Sequence, residues 1–487
     1  MNILPKPKKL HQTSDVCTMD SITWIPDDSL PHEGYRIKLK HGDVEVRFAD
    51  DHGKRYAQVT LEELRKHSVV NCGVIEDYPT YHHRGVHLDV ARYFLRVEEI
   101  QGFIDIIGKL KFNVLHLHLS DEQGWRIEIP KYPLLTSIGS VRSHSDFGRS
   151  YEEGPYGGFY TREDLVSLVA YAQERAIDIL PEIEMPGHCS PILAAYPDLS
   201  CHGEDVSVKT RGGVYEEVLC AGNEDVYHFL EDVVEECAHI FPYPYLHIGA
   251  DEAMKKHWRT CPKCQKRMRE EGLSTVAMLQ DYFVNRMAAY CATLGKKAII
   301  YSDGLRVHHA CKDMDIQYWV GDIEQTKEML KKGSKVIVST HGKYYFDLGY
   351  GQTSLRSVYE YNPEEMFHPY ESCVKGVEGM LWAEFTPTLN SRMIQAFPRL
   401  LALSETAWNG QDKEPYEEFV KRCRSFLHEH NIQAAPEKLW DMRKMKRIWD
   451  ILRYYHRTMT RQDIRQFIAT LRNEKKEKEE NEKIIGN

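Results

Sequence analysis

The chain has 487 residues, 42% of them apolar, and a formal charge of −10. That length allows one large domain and a smaller one, each with a core, and the interspersed charges exclude the basic footprint of a nucleic-acid binder or of an anionic-membrane surface. The stretch from Met1 to Lys9 lacks the apolar core of a secretory signal, and no later run is long enough to span a bilayer, so the sequence predicts a cytoplasmic protein. Its 12 cysteines follow no framework spacing and are expected as buried thiols. Only Cys261-Pro262-Lys263-Cys264 is pattern-like, and one such pair lacks the four ligands of a structural zinc site, so no metal is expected.

In chain order, residues 1–80 read as a small α+β unit. Tyr35 to Leu39 and Val44 to Phe48 alternate as half-buried strands around the turn His41-Gly42-Asp43, and Leu61 to Lys66 suits a short helix. Pro79 marks a boundary. Residues 81–410 then alternate strand and helix. Strands are expected at 85–90, 112–119, 177–183, 245–249, 298–301, 316–319, 335–339 and 377–381, with helices at 97–110, 161–175, 225–240, 275–294, 324–332 and 391–408. This pattern predicts an α/β fold, a (β/α)8 TIM barrel, with a doubly wound sheet as the competing arrangement. Residues 411–487 form a C-terminal helical extension with helices over 416–429, 436–455 and 460–472 and a charged tail. The apolar face carrying Leu439, Met442, Met445, Ile448, Trp449 and Leu452 is expected to pack on the barrel, with a homodimer through these helices as the other outlet.

Polar and aromatic residues gather where the strands end. Asp89 and Arg92 come first, then Asp121 and Trp125, then Glu182, Glu184 and His188. Asp251 and Glu252 terminate the apolar run Tyr245-Leu246-His247-Ile248-Gly249-Ala250, and Asp303, Trp319, His341, Tyr345, Asp347, Trp382 and Glu384 follow. Barrel enzymes build their sites from the C-terminal ends of their strands. Acidic groups among aromatic rings suit a sugar, whose apolar face packs on a ring while its hydroxyls bond to carboxylates and arginine. Two adjacent carboxylates in unequal environments can serve as an acid and as a partner for developing positive charge. An isolated Asp-Glu pair also commonly opens a helix.

The motifs Arg84-Gly85-Val86-His87-Leu88-Asp89-Val90-Ala91-Arg92, His116-Leu117-His118-Leu119-Ser120-Asp121-Glu122-Gln123-Gly124-Trp125-Arg126, Pro181-Glu182-Ile183-Glu184-Met185-Pro186-Gly187-His188 and His247-Ile248-Gly249-Ala250-Asp251-Glu252, in this order, resemble the family-20 glycoside hydrolases, the β-N-acetylhexosaminidases. The resemblance runs from about Gly34 to Trp408. It implies a retaining exo-glycosidase that removes terminal β-linked N-acetylhexosamine by substrate-assisted catalysis through an oxazolinium ion, with no cofactor. By the same resemblance Glu252 is the acid and base, Asp251 and Tyr345 hold the acetamido group, and Asp121 and His188 form a relay behind Glu252. Arg84, Asp347 and Glu384 bind sugar hydroxyls, and Trp319 and Trp382 wall the acetamido pocket.

Two departures from the family pattern stand out. Ser302 occupies the position where the family usually places another pocket tryptophan, which implies broader tolerance for the N-acyl group, and the N-terminal unit is shorter than the family's usual second domain. Two rival readings remain. One is a metal-dependent barrel hydrolase using His116 and His118, which share a strand face, with His188, His247 and Asp251. The other is a sugar-binding barrel without catalysis. The partner implied is a small molecule or glycan ending in β-N-acetylhexosamine.

Overall fold

The computed structural model describes residues 3–66, 69–304 and 314–460. Its N-terminal unit is a five-stranded sheet, β1 (Lys9–Cys17), β2 (Ser21–Pro26), β3 (Tyr35–Lys40), β4 (Asp43–Phe48) and β5 (Val70–Asp77), in the order β1-β5-β3-β4-β2. Strands β3 and β4 alternate as the sequence suggests, and their inward residues Tyr35, Ile37, Leu39, Val44 and Val46 are buried. One helix, α1 (Asp51–Arg65), covers that face, started by Asp50, whose carboxylate accepts from the Gly53 amide at 2.8 Å. Strands β1, β2 and β5 were not anticipated; β1 is mostly exposed, while β2 is half-exposed with Ile22 and Trp24 packed on the small core.

The sheet rests against the N-terminal mouth of a closed barrel of eight parallel strands: β6 (His83–Asp89), β7 (Val114–His118), β8 (Asp178–Met185), β9 (Tyr245–Gly249), β10 (Lys297–Tyr301), β11 (Met314–Tyr318), β12 (Val336–Val338) and β13 (Val374–Gly379). Each strand pairs with the next, and β13 closes on β6 through Val377 opposite Arg84 and Gly379 opposite Val86. All eight coincide with expected strands, and the crossover helices α2 (Val97–Lys109), α3 (Arg162–Gln173), α4 (Glu224–Ile240), α5 (Val276–Thr293) and α6 (Ile323–Lys331) with expected helices. The doubly wound alternative is thereby overturned, since closure leaves no sheet edge. The helix expected over 391–408 is two, α7 (Leu389–Ala396) and α8 (Arg399–Asn409), because Pro398 lacks the amide needed to continue the ladder.

A buried polar network joins the sheet to the barrel. Lys111 donates to Asp77 at 2.8 Å and to the Tyr35 hydroxyl at 2.7 Å, and the Trp408 indole donates to the other Asp77 oxygen at 2.7 Å. Arg84 belongs to this junction. Its guanidinium donates to both Glu33 oxygens at 2.7 and 3.0 Å, to the Tyr56 hydroxyl at 2.8 Å, and to the carbonyls of Lys111 and Tyr81 at 2.8 and 2.9 Å.

The barrel interior is ionic. Glu378 accepts from His116 at 2.7 Å and His83 at 2.8 Å, while Glu182 is bonded by His118 and lies 3.0 Å from His247. Burial opposes charge on His116 and His118, yet their carboxylate partners raise them to about 9 and about 10.

Beyond the barrel, α9 (Tyr416–Glu429) packs on the outer wall through Phe419 and Phe426. The final described helix, α10 (Lys444–Thr458), corrects the expected packing. It turns Arg447, Asp450 and Tyr454 toward the barrel: Arg447 donates to the Gly351 carbonyl at 2.6 Å, and Asp450 accepts from the Gly351 amide at 2.9 Å. Met445, Ile448, Trp449, Leu452 and Tyr455 form an outward stripe, with Trp449 66% exposed. The helix's polar residues find partners on the loop at Gly351, and satisfying them fixes its rotation. The helix expected over 460–472 lies outside the described residues, apart from Thr460.

Candidate active site

A cavity of about 300 Å³ opens at the C-terminal end of the barrel. Arg92, Asp121, His188, Asp251, Glu252, Tyr301, Trp319, Tyr345, Asp347, Trp382, Glu384 and Tyr454 are among the residues that line it. Nine of the ten residues singled out from the sequence therefore share one hollow; Arg84 does not. A second hollow of about 430 Å³ lies among helices outside the barrel, against Tyr132, Tyr196 and His228, and has no paired acids at strand ends.

The pair after β9 is placed by an unusual backbone. Gly249, Ala250 and Glu252 have φ of 62°, 75° and 47°. The left-handed region is costly for Ala and Glu, so the surroundings must hold this turn. They do so through Gln280, which donates to the Ala250 carbonyl at 2.8 Å, and Asp303, which accepts from the Glu252 amide at 3.0 Å. The sharp turn sends neighbouring side chains into different environments. Asp251 is buried, its side chain 11% exposed, while that of Glu252 is 37% exposed. Burial pushes Asp251 up to about 8, His188 opposes this, and Asp303 and Glu252 reinforce it.

His188, itself at φ 49°, stands between the carboxylates. Its Nε2 lies 3.6 Å from Glu252 Oε2 and 3.9 Å from Asp251 Oδ2, and its Nδ1 lies 3.5 Å from Asp121 Oδ1. The line Asp121–His188–Glu252 thus runs through opposite ring nitrogens. Burial disfavours charge on His188, but Asp121 and the two site carboxylates raise it well above the usual imidazole range. Asp121 also faces burial, and Arg92 and His188 hold it below the usual carboxylate range. A tight hairpin fixes it, Ser120–Asp121 pairing with Gly124–Trp125. Beneath the pair, burial and then Asp251 and Glu182 push Glu184 well above the usual carboxylate range.

The opposite wall is aromatic. Trp319 and Tyr345 stack at 5.9 Å between centroids with planes 22° apart, and Trp382 lies 6.4 Å from Tyr345. The Trp319 indole is pinned to Asp303 Oδ1 at 2.7 Å. Tyr344, one position away, instead packs on Tyr361. Ser302 is buried and does not line the cavity, since its hydroxyl donates to the Val320 carbonyl; Tyr301 lines the pocket next to it. Asp347 and Glu384 sit together, and burial plus Glu384 pushes Asp347 up to about 8.

The correction at Arg84 follows from strand direction. Arg84 lies at the N-terminal end of β6, at the foot of the barrel, whereas Arg92 follows the strand's C-terminal end. Arg92 reaches Asp121 at 2.7 Å, approaches Glu384 at 3.8 Å, and lies over the Trp382 ring at 5.0 Å. Both arginines stand in the same sequence motif, and the direction of β6 separates them. Asp303, His341, Leu348 and Phe385 also had no assigned role. Tyr454 comes from α10, and nothing in its local sequence ties a C-terminal tyrosine to a barrel mouth.

The histidines of the rival metal reading are engaged by carboxylates, in sets whose spacing could also hold an ion. Both ring nitrogens of His118 face carboxylates, Glu182 and Asp121, the latter at 2.9 Å, and His116 lies between Glu378 and Glu182.

Residues 81–411 match the family model described as glycosyl hydrolase family 20, catalytic domain. A β-hexosaminidase of Porphyromonas gingivalis is 36% identical over 423 residues, covering 81% of this chain, which spans only 53% of that relative's length. One from Akkermansia muciniphila is 31% identical over 454 residues, covering 86% of this chain and 88% of the relative. Among solved structures, an exo β-N-acetylglucosaminidase from Vibrio harveyi in complex with N-acetylglucosamine superposes with a TM-score of 0.80 at 25% identity, covering 90% of this chain and 79% of that one. With a family model across most of its length, a closed barrel and acids gathered at one mouth, the chain belongs to glycosyl hydrolase family 20.

Proposed function

We propose that the chain is a retaining exo-β-N-acetylhexosaminidase that uses its substrate's own acetamido group as nucleophile. The observation that carries this reading is the divergence of Asp251 and Glu252 about His188. Their ligand atoms and that of His188 all lie within 4.8 Å of one another, so both carboxylates act on the same side of one sugar. That geometry does not suit carboxylates attacking from opposite faces. The acetamido oxygen attacks the anomeric carbon while Glu252 protonates the departing glycosidic oxygen. Asp251 accepts the acetamido N–H and stabilises the oxazolinium charge, and Glu252 then takes a proton from the water that opens the ring. The small cavity suits one terminal ring, with Trp319, Tyr345 and Trp382 around the acetamido group and Arg92, Asp347 and Glu384 on its hydroxyls.

The test is release of nitrophenol from β-linked N-acetylglucosaminide and N-acetylgalactosaminide, with a chelator present, by the parent, Glu252→Gln and Asp251→Asn. Chelator-resistant turnover is expected, reduced about 10³-fold or more in each variant. In Glu252→Gln, a dinitrophenyl glycoside, whose leaving group is a far weaker base than nitrophenolate, should recover part of the first step; Asp251→Asn should show no such recovery. Wild-type rates in both variants would overturn the mechanism.

We also propose that the outward stripe of α10 seats a second copy of the chain. Its support is the run of apolar side chains at helical spacing with Trp449 and Met445 about two-thirds exposed. Sedimentation of the parent against Trp449→Glu tests it, a monomeric parent being the refuting result. A reducing, cytoplasmic setting belongs to the same proposal, supported by the free thiol state of Cys189, Cys237, Cys291 and Cys423.

A further inference from the structure

The cysteine pair that stood alone in the sequence does not stand alone in space. Cys201 and Cys220 are brought to Cys261 and Cys264, and the four sulfurs all lie within 4.8 Å of one another. Three of the cysteines are buried, and Cys201 is half-buried. The Sγ separations are 3.6 Å for Cys220–Cys264, 3.7 Å for Cys220–Cys261 and 3.9 Å for Cys201–Cys264.

Two chemistries bring four sulfurs together, and the distances separate them. A disulfide requires about 2.05 Å between sulfurs. Four thiolates on one tetrahedral zinc ion, each at about 2.3 Å, stand about 3.8 Å apart along every edge. The observed separations match the second figure. The local backbone matches too: a Cβ on Gly222 would lie 2.1 Å from the carbonyl carbon of Lys263 and 2.2 Å from the amide of Cys264, so only glycine lets the two cysteine-bearing segments meet this closely.

We propose that Cys201, Cys220, Cys261 and Cys264 form a structural zinc site. Four thiolates leave no position open for water or substrate, so the ion's role is to hold chain rather than to react. The segments it joins matter for the active centre. Cys201 and Cys220 lie on the excursion that begins just after His188, and Cys261 and Cys264 follow Asp251 and Glu252 on the next one. The Trp258 indole donates to the Leu219 carbonyl at 3.0 Å, and the Leu219 amide donates to the Pro186 carbonyl at 3.0 Å, so the knot connects directly to the turn that carries His188. The sequence concealed this set because Cys201 and Cys220 are far from the Cys-Pro-Lys-Cys turn and share no short spacing with it. This proposal does not depend on the proposed substrate.

The test is elemental analysis of the full-length protein purified without added metal. About one zinc per chain is expected, released when a mercurial titrates the thiols. Cobalt substitution should give the intense visible bands of a tetrahedral thiolate site. Cys201→Ser and Cys264→Ser should lose the metal and several degrees of melting temperature, while Cys291→Ser, a buried cysteine elsewhere, should keep both. If the serine variants fail to fold, the parent's zinc count and its cobalt spectrum still decide. The proposal is overturned by a parent that neither carries nor takes up zinc, by alkylation and mass spectrometry that find the four cysteines as two disulfides, or by stoichiometric iron in their place.

Discussion

Arg84 and Arg92 share one motif, and the structure gives them opposite jobs that a pair of substitutions separates. Arg84→Met would remove five hydrogen bonds and leave Glu33, whose side chain is 2% exposed, without its guanidinium and dependent on His52 at 3.2 Å. Breaking such a pair costs about 3–5 kcal/mol. In a chain larger than 250 residues that corresponds to a melting temperature lower by roughly 6–10 °C at about 2 °C per kcal/mol. Turnover by the folded enzyme should stay within about 3-fold of the parent, an effect under about 1 kcal/mol. Adding Glu33→Gln should recover more than half of the lost stability, because both charges then leave together. Arg92→Met should do the reverse. It loses the 2.7 Å pair with Asp121 and the guanidinium beside Glu384. At about 1.5–3 kcal/mol for each of the two charged contacts, kcat/KM should fall about 10²–10⁴-fold. The assays are a thermal melt and nitrophenol release on the same preparations. An Arg84→Met enzyme that melts like the parent but loses 10²-fold in kcat/KM would refute the assignment of Arg84 to the domain junction.

Asp303→Asn should cut kcat by about 10-fold, since an amide can accept from only one of the two N–H groups, Glu252's backbone and Trp319's indole, that the carboxylate now holds; an unchanged kcat would count against it. Burial opposes charge on Glu33, yet Arg84 and His52 hold it well below the ordinary carboxylate range. The unfolded chain therefore takes up this proton first as pH falls, so Glu33 adds stability above about pH 4.5 and loses it progressively below. Urea unfolding of Glu33→Gln should accordingly show its full deficit at about pH 7 and a shrinking one toward about pH 3; a deficit constant with pH would contradict the linkage.

The barrel was legible because its strands are short apolar runs with a direction, and the residues at their exits carried the chemistry with them. Tyr245 to Gly249 ends in Asp251 and Glu252, and nothing tertiary is needed to see it. What the sequence withheld depends on the third dimension. Motif membership could not distinguish the foot of β6 from its head, so Arg84 stood in for Arg92. Helical periodicity found the apolar face of α10 but not the direction it points, because Arg447 and Asp450 decide that through partners at Gly351. The left-handed turn at Ala250 and Glu252 left no trace in residue type, and the four cysteines meet only because two excursions fold together.

Tyr454 lies beyond the last residue matched to the catalytic domain, yet it forms part of the pocket wall. The pocket wall is thus drawn from two parts of the chain. The strand exits that hold Asp251, Glu252 and His188 are set by the barrel, whereas the Tyr454 ring beside Phe385 stands on a helix outside it. Substitutions along that helix therefore reshape the rim of the pocket while leaving the acidic centre in place.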